Sequence, residues 1–346
     1  MWILGAAAAV GTLVLALVVA GLIYQAIGVR RDARRLPPPG ERIDIGGCKL
    51  HLRRMGRGSP AVILESGLSA SCINWTRVQQ DLASVTTVVS YDRAGLGWSD
   101  AAPSPRTSAR SAAELHALLK HAGVEPPYVI VGHSFGGLVA RSCYRRFPDE
   151  IGGLVFVDTT FPHEWLQMSR ERRRMLRGGA LFARIGGFLA RIGVVRFLLN
   201  RLTGGAPAAP RVLLGLFGST ATAVITRIVG EVQKMPADMR PAIQTHWSHP
   251  KSFASLASHL AGLPASAADA AAVTAFSDLP VAVVCAGGLR ADLQRQHERL
   301  ATFSPSGRFV RANTTGHWIQ LDDPGLVVRV IRQVVEEVRR KRGVVS

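Results

Sequence analysis

The sequence predicts an α/β fold: a mostly parallel sheet with helices on both faces and a helical cap inserted in its second half. Short apolar runs ("AVILES", "TTVVSYD", "YVIVGHS", "GLVFVD") alternate with helix-patterned stretches between Glu41 and Asp158. Continuous apolar strands that alternate with helices mark a parallel sheet buried on both faces. The alternation stops from about Phe161 to Phe276, where helices and loops take over, and resumes at "VAVVCAG". A compact domain does not carry an unstructured loop of that length, so the interruption is an inserted cap.

The N-terminus comes first. Residues 1–29 carry no charged side chain. About 20 apolar residues suffice to cross a bilayer. A cleaved signal peptide is the alternative, but it usually has a basic start and a shorter apolar run. Residues 1–29 are therefore expected to be a retained transmembrane anchor. Arg30, Arg31, Arg34 and Arg35 come directly after it. Arginines beside a span tend to stay in the cytoplasm, so the domain beyond is expected there. "LPPPG" then closes a stiff linker over residues 30–40.

The soluble domain is expected over residues 41–340. "RIDIGG" and "KLHLRRMG" form a hairpin around Gly46 and Gly47, and "AVILES" is a buried strand. "NWTRVQQDLAS" is a helix and "TTVVSYD" a strand. "SARSAAELHALLKHAG" is an amphipathic helix closed by Gly123. "YVIVGHS" leads into a helix that ends near Phe147, and "GLVFVD" is the next strand. After the cap come "VAVVCAG", a helix through His297 and Leu300, the strand "GRFVRAN" and a C-terminal helix.

Three stretches carry chemistry. "VGHSFGGLVA" places Ser134 between Gly132 and Gly136, after a strand and before a helix. That order is what a nucleophile elbow requires: small neighbours let the turn close and hold the serine up at a helix N-terminus. The bland alternative is a glycine turn with an incidental serine. "LESGLSAS" comes after an earlier strand, where the backbone N–H of Leu68 can face a developing oxyanion, with Phe135 N–H as its partner. "TTGHWIQLDDP" puts His317 in a polar loop after the last strand, where a general base belongs in the order Ser…Asp…His.

These stretches, with "YDRAGLGWSD" and "GLVFVD", resemble the α/β-hydrolase family over about residues 41–340, least in the cap. The resemblance implies an eight-stranded, mostly parallel sheet with the cap inserted after the sixth strand. It also implies a structural turn built on Asp92, Gly95 and Gly97, and Ser66-Gly67 where the family's usual His-Gly oxyanion turn lies. The acid that orients His317 is either Asp158, at the end of the sixth strand, or Asp292, in the loop after the seventh, one residue off the usual spacing; Asp158 is preferred. Asp278 precedes its strand and so lies at the wrong sheet edge. Ser134 would attack a carbonyl, His317 would take its proton, and water would release the acyl-enzyme. Serine at 134 argues against the dehalogenase and epoxide-hydrolase branches, which use aspartate there. No cofactor or metal is implied; His246-x-x-His249 lacks a third partner.

Composition narrows the partners. The net charge is +18 over 346 residues. Such charge favours nucleic acid or an anionic membrane. No zinc-finger, helix-turn-helix or RNA-binding signature accompanies it, and the arginines cluster near apolar segments, so membrane is expected and nucleic acid is not. The cap begins with arginines (Arg177, Arg184, Arg191, Arg196) interleaved with Leu181, Phe182, Ile185, Phe188 and Phe197. That is the composition of an interfacial helix, or of a cap helix with solvated arginines. Either places an apolar roof over Ser134 and suggests a lipophilic ester. Amide, thioester or carbon–carbon cleavage on the same residues, and a silent hydrolase fold used for binding, stay open. Cys48, Cys72, Cys143 and Cys285 are scattered, with no metal-ligand spacing, and read as free thiols of a reducing compartment.

Overall fold

The structure, a computed structural model, describes residues 2–101, 103, 105–203 and 233–343. Residues 204–232 of the expected cap lie outside the described residues. Two compact units form. One joins the N-terminal helix to residues 180–257; the other comprises residues 38–179 and those from 258 onward.

The second unit holds an eight-stranded sheet. Its strands are β1 (Glu41–Asp44), β2 (Lys49–Met55), β3 (Ala61–Glu65), β4 (Val88–Tyr91), β5 (Tyr128–His133), β6 (Ile151–Val157), β7 (Val281–Cys285) and β8 (Gly307–Arg311). The spatial order is β1-β2-β4-β3-β5-β6-β7-β8. β2 alone runs antiparallel to both its neighbours, β1 and β4; every other pair is parallel.

Side chains alternate along each strand, so the apolar runs feed two cores. Ile63, Ile130, Leu154 and Phe156 pack on one face with Leu115, Leu118, Leu138 and Val139 of the helices Ser108–His121 and Gly136–Arg146. Val62, Leu64, Val129, Val131, Val155 and Val157 face the other side. There the C-terminal helix Pro324–Lys341 buries Val327, Ile331, Val334 and Val338. Burying such a side chain contributes roughly 1.5–3 kcal/mol, which explains why strands with no polar alternation settle in the centre of a two-faced layer.

The first unit contains a helix from Trp2 to Arg35, long and apolar enough to cross a membrane. Residues 2–20 are exposed almost throughout. From Gly21 one face is packed: Gly21, Gln25, Gly28 and Asp32 recur every three to four residues, as a helix stripe must. A Cβ on Gly28 would lie 2.5 Å from Arg196 Nε, so the close approach needs glycine there. Gln25 is buried; it donates to the Ser248 carbonyl at 3.0 Å and accepts from Arg196 Nε at 2.8 Å.

Two helices of the expected cap, Arg170–Arg191 and Val194–Thr203, carry the interleaved arginines. Arg177, Arg184 and Arg191 are exposed, and so are Leu181, Phe182, Ile185 and Phe188. Arg196 departs from the expectation of solvated arginines: it is 6% exposed and ion-paired to Asp32 at 2.5 Å. Periodicity alone cannot reveal this, because its partners on the N-terminal helix lie more than 160 residues away. All four cysteines are free, and Cys48 is only half-buried.

Candidate active site

Ser134 sits between β5 and the helix Gly136–Arg146, at the carboxyl edge of the sheet. Its φ is +52°, in the left-handed region that non-glycine residues avoid at a cost of about 1–2 kcal/mol. The flanking glycines make this turn possible. A Cβ on Gly132 would stand 2.5 Å from the Gly136 carbonyl oxygen, and one on Gly136 would stand 2.5 Å from that of Glu65. The serine carbonyl is then tied down by the N–H groups of Gly137 (3.0 Å) and Thr160 (3.2 Å). G-x-S-x-G is thus a packing requirement at three backbones. Strained residues of this kind concentrate at functional sites, and Ser69 (φ +56°) and Asp158 (φ +41°) share the same sheet edge.

Asp158 comes directly after β6 and continues its ladder through N–H to the Val284 carbonyl at 2.8 Å. Its side chain is 6% exposed, and its Oδ2 lies 2.6 Å from His317 Nδ1. The other oxygen accepts from Ala286 N–H at 3.3 Å and faces His297 Nε2 at 3.8 Å. Burial alone would push this carboxyl up. The hydrogen bond and charge of His317 outweigh it, with help from Ala286 N–H and His297, and hold it below the usual aspartate value. Asp292 stands apart: it lies in the first turn of the helix Ala291–Ala301, half exposed, and pairs with the exposed Arg290 at 2.7 Å. Asp278 pairs with Lys341 at 2.8 Å and is 75% exposed.

His317 lies in the loop after β8, and its carbonyl accepts from His133 Nε2 at 3.0 Å. The two imidazole rings are 4.7 Å apart. His133 directly precedes Ser134, so this bond ties the loop of His317 to the serine turn. Burial, and then the charge of His317, push His133 down to about 3, which keeps it neutral. Among the described hydrogen bonds, none joins the Ser134 hydroxyl to His317; such contacts commonly tighten only when substrate enters.

The N–H groups of Leu68 and Phe135 donate to no partner among the described hydrogen bonds. Phe135 N–H opens the helix after Ser134, and Leu68 N–H belongs to the loop after β3. That loop is held by Arg93, a residue with no motif of its own. Its guanidinium donates to Glu65, to the Ser66 carbonyl at 2.6 Å and to the Gly67 carbonyl, and lies 5.2 Å above the Phe135 ring. Burial pushes the Glu65 carboxyl up, against the charge of Arg93 and a hydrogen bond from Tyr91. Removing the arginine would leave a buried carboxylate with a hydrogen bond from Tyr91 but no opposite charge, a loss of about 3–5 kcal/mol. Arg93→Met is expected to unfold at correspondingly lower urea, and Glu65→Gln added to it to restore part of the loss, as read by equilibrium denaturation.

Asp92 organises the next turn. Its carboxylate accepts from Cys72 N–H (2.8 Å) and Trp98 N–H (3.1 Å) and meets His51 Nδ1 at 2.9 Å. His51, Cys72 and Asp92 crowd within 4.8 Å, but the backbone already engages both carboxylate oxygens. Of the pair His246 and His249, His249 has its Nε2 3.8 Å from Asp32.

Residues 60–324 match the α/β-hydrolase fold family. An AB hydrolase superfamily protein of Gibberella zeae is 25% identical over 81% of this chain and 87% of its own length. Protein YqjL of Bacillus subtilis is 32% identical over 39% of this chain, and the match spans only 56% of that relative. Among solved structures, an esterase from Thermogutta terrifontis superposes with a TM-score of 0.60 at 21% identity, covering 84% of this chain and 94% of the other; identity that low speaks for the fold alone. With its family match running from the strand before Leu68 past His317, the chain belongs to the α/β-hydrolase fold family.

Proposed function

We propose that the protein is a membrane-anchored serine hydrolase that cleaves a lipophilic carboxylic ester. The observation that carries most weight is the 2.6 Å pair of His317 Nδ1 and Asp158 Oδ2, at the sheet edge that also carries the strained Ser134. In this mechanism Ser134 Oγ attacks the ester carbonyl while His317 Nε2 takes its proton. The Leu68 and Phe135 N–H groups hold the oxyanion. Asp158 keeps the proton on Nδ1 and stabilises the imidazolium. His317 then protonates the departing alcohol. It next activates a water that releases the acid and frees Ser134.

The lipophilic preference rests on the apolar N-terminal helix and on the exposed Leu181, Phe182, Ile185 and Phe188 beside exposed arginines. Such a helix suits a membrane interface. The basic segment Arg30–Arg35 supports a cytoplasmic catalytic domain. Hydrolysis of p-nitrophenyl esters of graded chain length tests the substrate class: kcat/KM should rise at least ~10-fold from acetyl to decanoyl, as each added methylene is worth up to ~0.8 kcal/mol when buried. A flat profile would remove the lipophilic assignment. A folded protein that resists fluorophosphonate labelling would favour a binding role on the same fold.

A further inference from the structure

At the basic end of the N-terminal helix, within the first unit, lies a cavity of about 340 Å³. Its lining includes Tyr24, Arg31, Asp32, Arg35, Arg196 and Asn200. That size is within the range of small-ligand clefts. Three arginines stand against one aspartate, so the lining carries net positive charge. Arg31 and Arg35 are exposed at its edge. Arg196 is buried: Nε is engaged by Gln25 and one terminal nitrogen by Asp32, but the other terminal nitrogen has no partner among the described residues. A buried guanidinium N–H without an acceptor has lost its water and gained nothing in exchange, and an anionic oxygen would supply the missing acceptor.

The position along the helix identifies the anion. At 1.5 Å per residue, about 20 residues span the hydrocarbon core of a bilayer, so within the uncharged residues 1–29 a span that ends near Ile27 begins near Ala8. Tyr24 then sits just inside that boundary, and Arg31 and Arg35 lie about 6 and 12 Å beyond it; their long side chains lean back toward the helix N-terminus and reach the depth of lipid headgroups, where tyrosine and arginine concentrate. Gln25 and Gly28 are packed inward at that level, so the helix and the segment around Arg196 form one wall around the cavity.

We propose that this cavity binds the phosphate of an anionic phospholipid, with Arg31, Arg35 and Arg196 as its donors. Fork-shaped guanidinium groups match phosphate oxygens in pairs. The bound lipid would clamp the N-terminal helix to residues 192–200. This inference rests on the anchor assignment, and alkaline carbonate extraction of membranes tests that assignment separately from lipid binding.

The full chain in neutral detergent is titrated with dihexanoyl phosphatidic acid, dihexanoyl phosphatidylcholine and inorganic phosphate, and thermal unfolding is monitored. Phosphatidic acid should raise the midpoint saturably by at least ~2 °C. Phosphatidylcholine should not, and the shift should be lost in Arg31→Gln/Arg35→Gln. Both side chains are exposed, so the double variant keeps its fold; Arg196→Lys, which keeps the charge, should retain a reduced shift. An equal shift from phosphatidylcholine, no shift from phosphatidic acid, or a full shift in the double variant would overturn the site. A shift reproduced by inorganic phosphate at the same concentration would overturn the lipid as its source.

Discussion

Ser134→Ala is expected to lower ester hydrolysis by at least ~10⁴-fold and to abolish fluorophosphonate labelling. In enzymes whose serine and histidine act as a unit, loss of either removes nearly all the rate that the group supplies. Residual hydrolysis would come from the Leu68 and Phe135 N–H groups and from substrate binding. The variant should fold like the parent. Alanine at φ +52° is strained as serine is, and the tight contacts at Gly132 and Gly136 are untouched. Burst kinetics with a p-nitrophenyl ester and a thermal melt check both statements. A variant with normal turnover would dismiss Ser134 as the nucleophile.

Asp158→Asn is expected to lower kcat by about 10⁴-fold, whereas Asp292→Asn should stay within about twofold. An amide in place of the carboxylate favours the wrong tautomer of His317 and cannot stabilise its cation. Asp292 pairs with Arg290 at the surface, so its loss reaches neither Ser134 nor His317. Equal losses in both variants would remove Asp158 as the acid.

Stability should report on the same residue. The carboxyl of Asp158 is held below its unfolded value, so its charged form binds best in the folded state. The stability it contributes is full above about pH 3.9, the unfolded value, and is lost as pH falls through the folded one. The gap in unfolding free energy between the parent and Asp158→Asn should therefore narrow on acidification below about pH 4.

Much of the fold and the site was legible in the chain. Strands such as Val129–Val131 and Val155–Val157 are short, apolar and bounded by turns, and they became central strands with side chains on both faces. Ser134 was legible because its turn needs glycine at fixed offsets. Arg93 was not. It is one arginine among the many of a basic chain, and only its place over Phe135, beside Glu65 and the carbonyls of Ser66 and Gly67, shows that it holds the loop before Leu68. A charged residue closing the apolar strand "AVILE" was the one available signal, since a buried glutamate requires a partner. His133 and His297 escaped for the same reason: neither has a local pattern.

The sequence by itself determined what depends on neighbours along the chain: the parallel sheet, the strained serine turn and the apolar helix that leads into Arg30–Arg35. Periodicity and turn chemistry act over a few residues, so they can be read there. Only the tertiary structure decided which aspartate meets His317, and that Arg196 is buried against Gln25 and Asp32 rather than solvated. Those pairings join residues about 160 or more positions apart. Their energies depend on distances of a few ångströms and on burial, and neither is written in the order of residues.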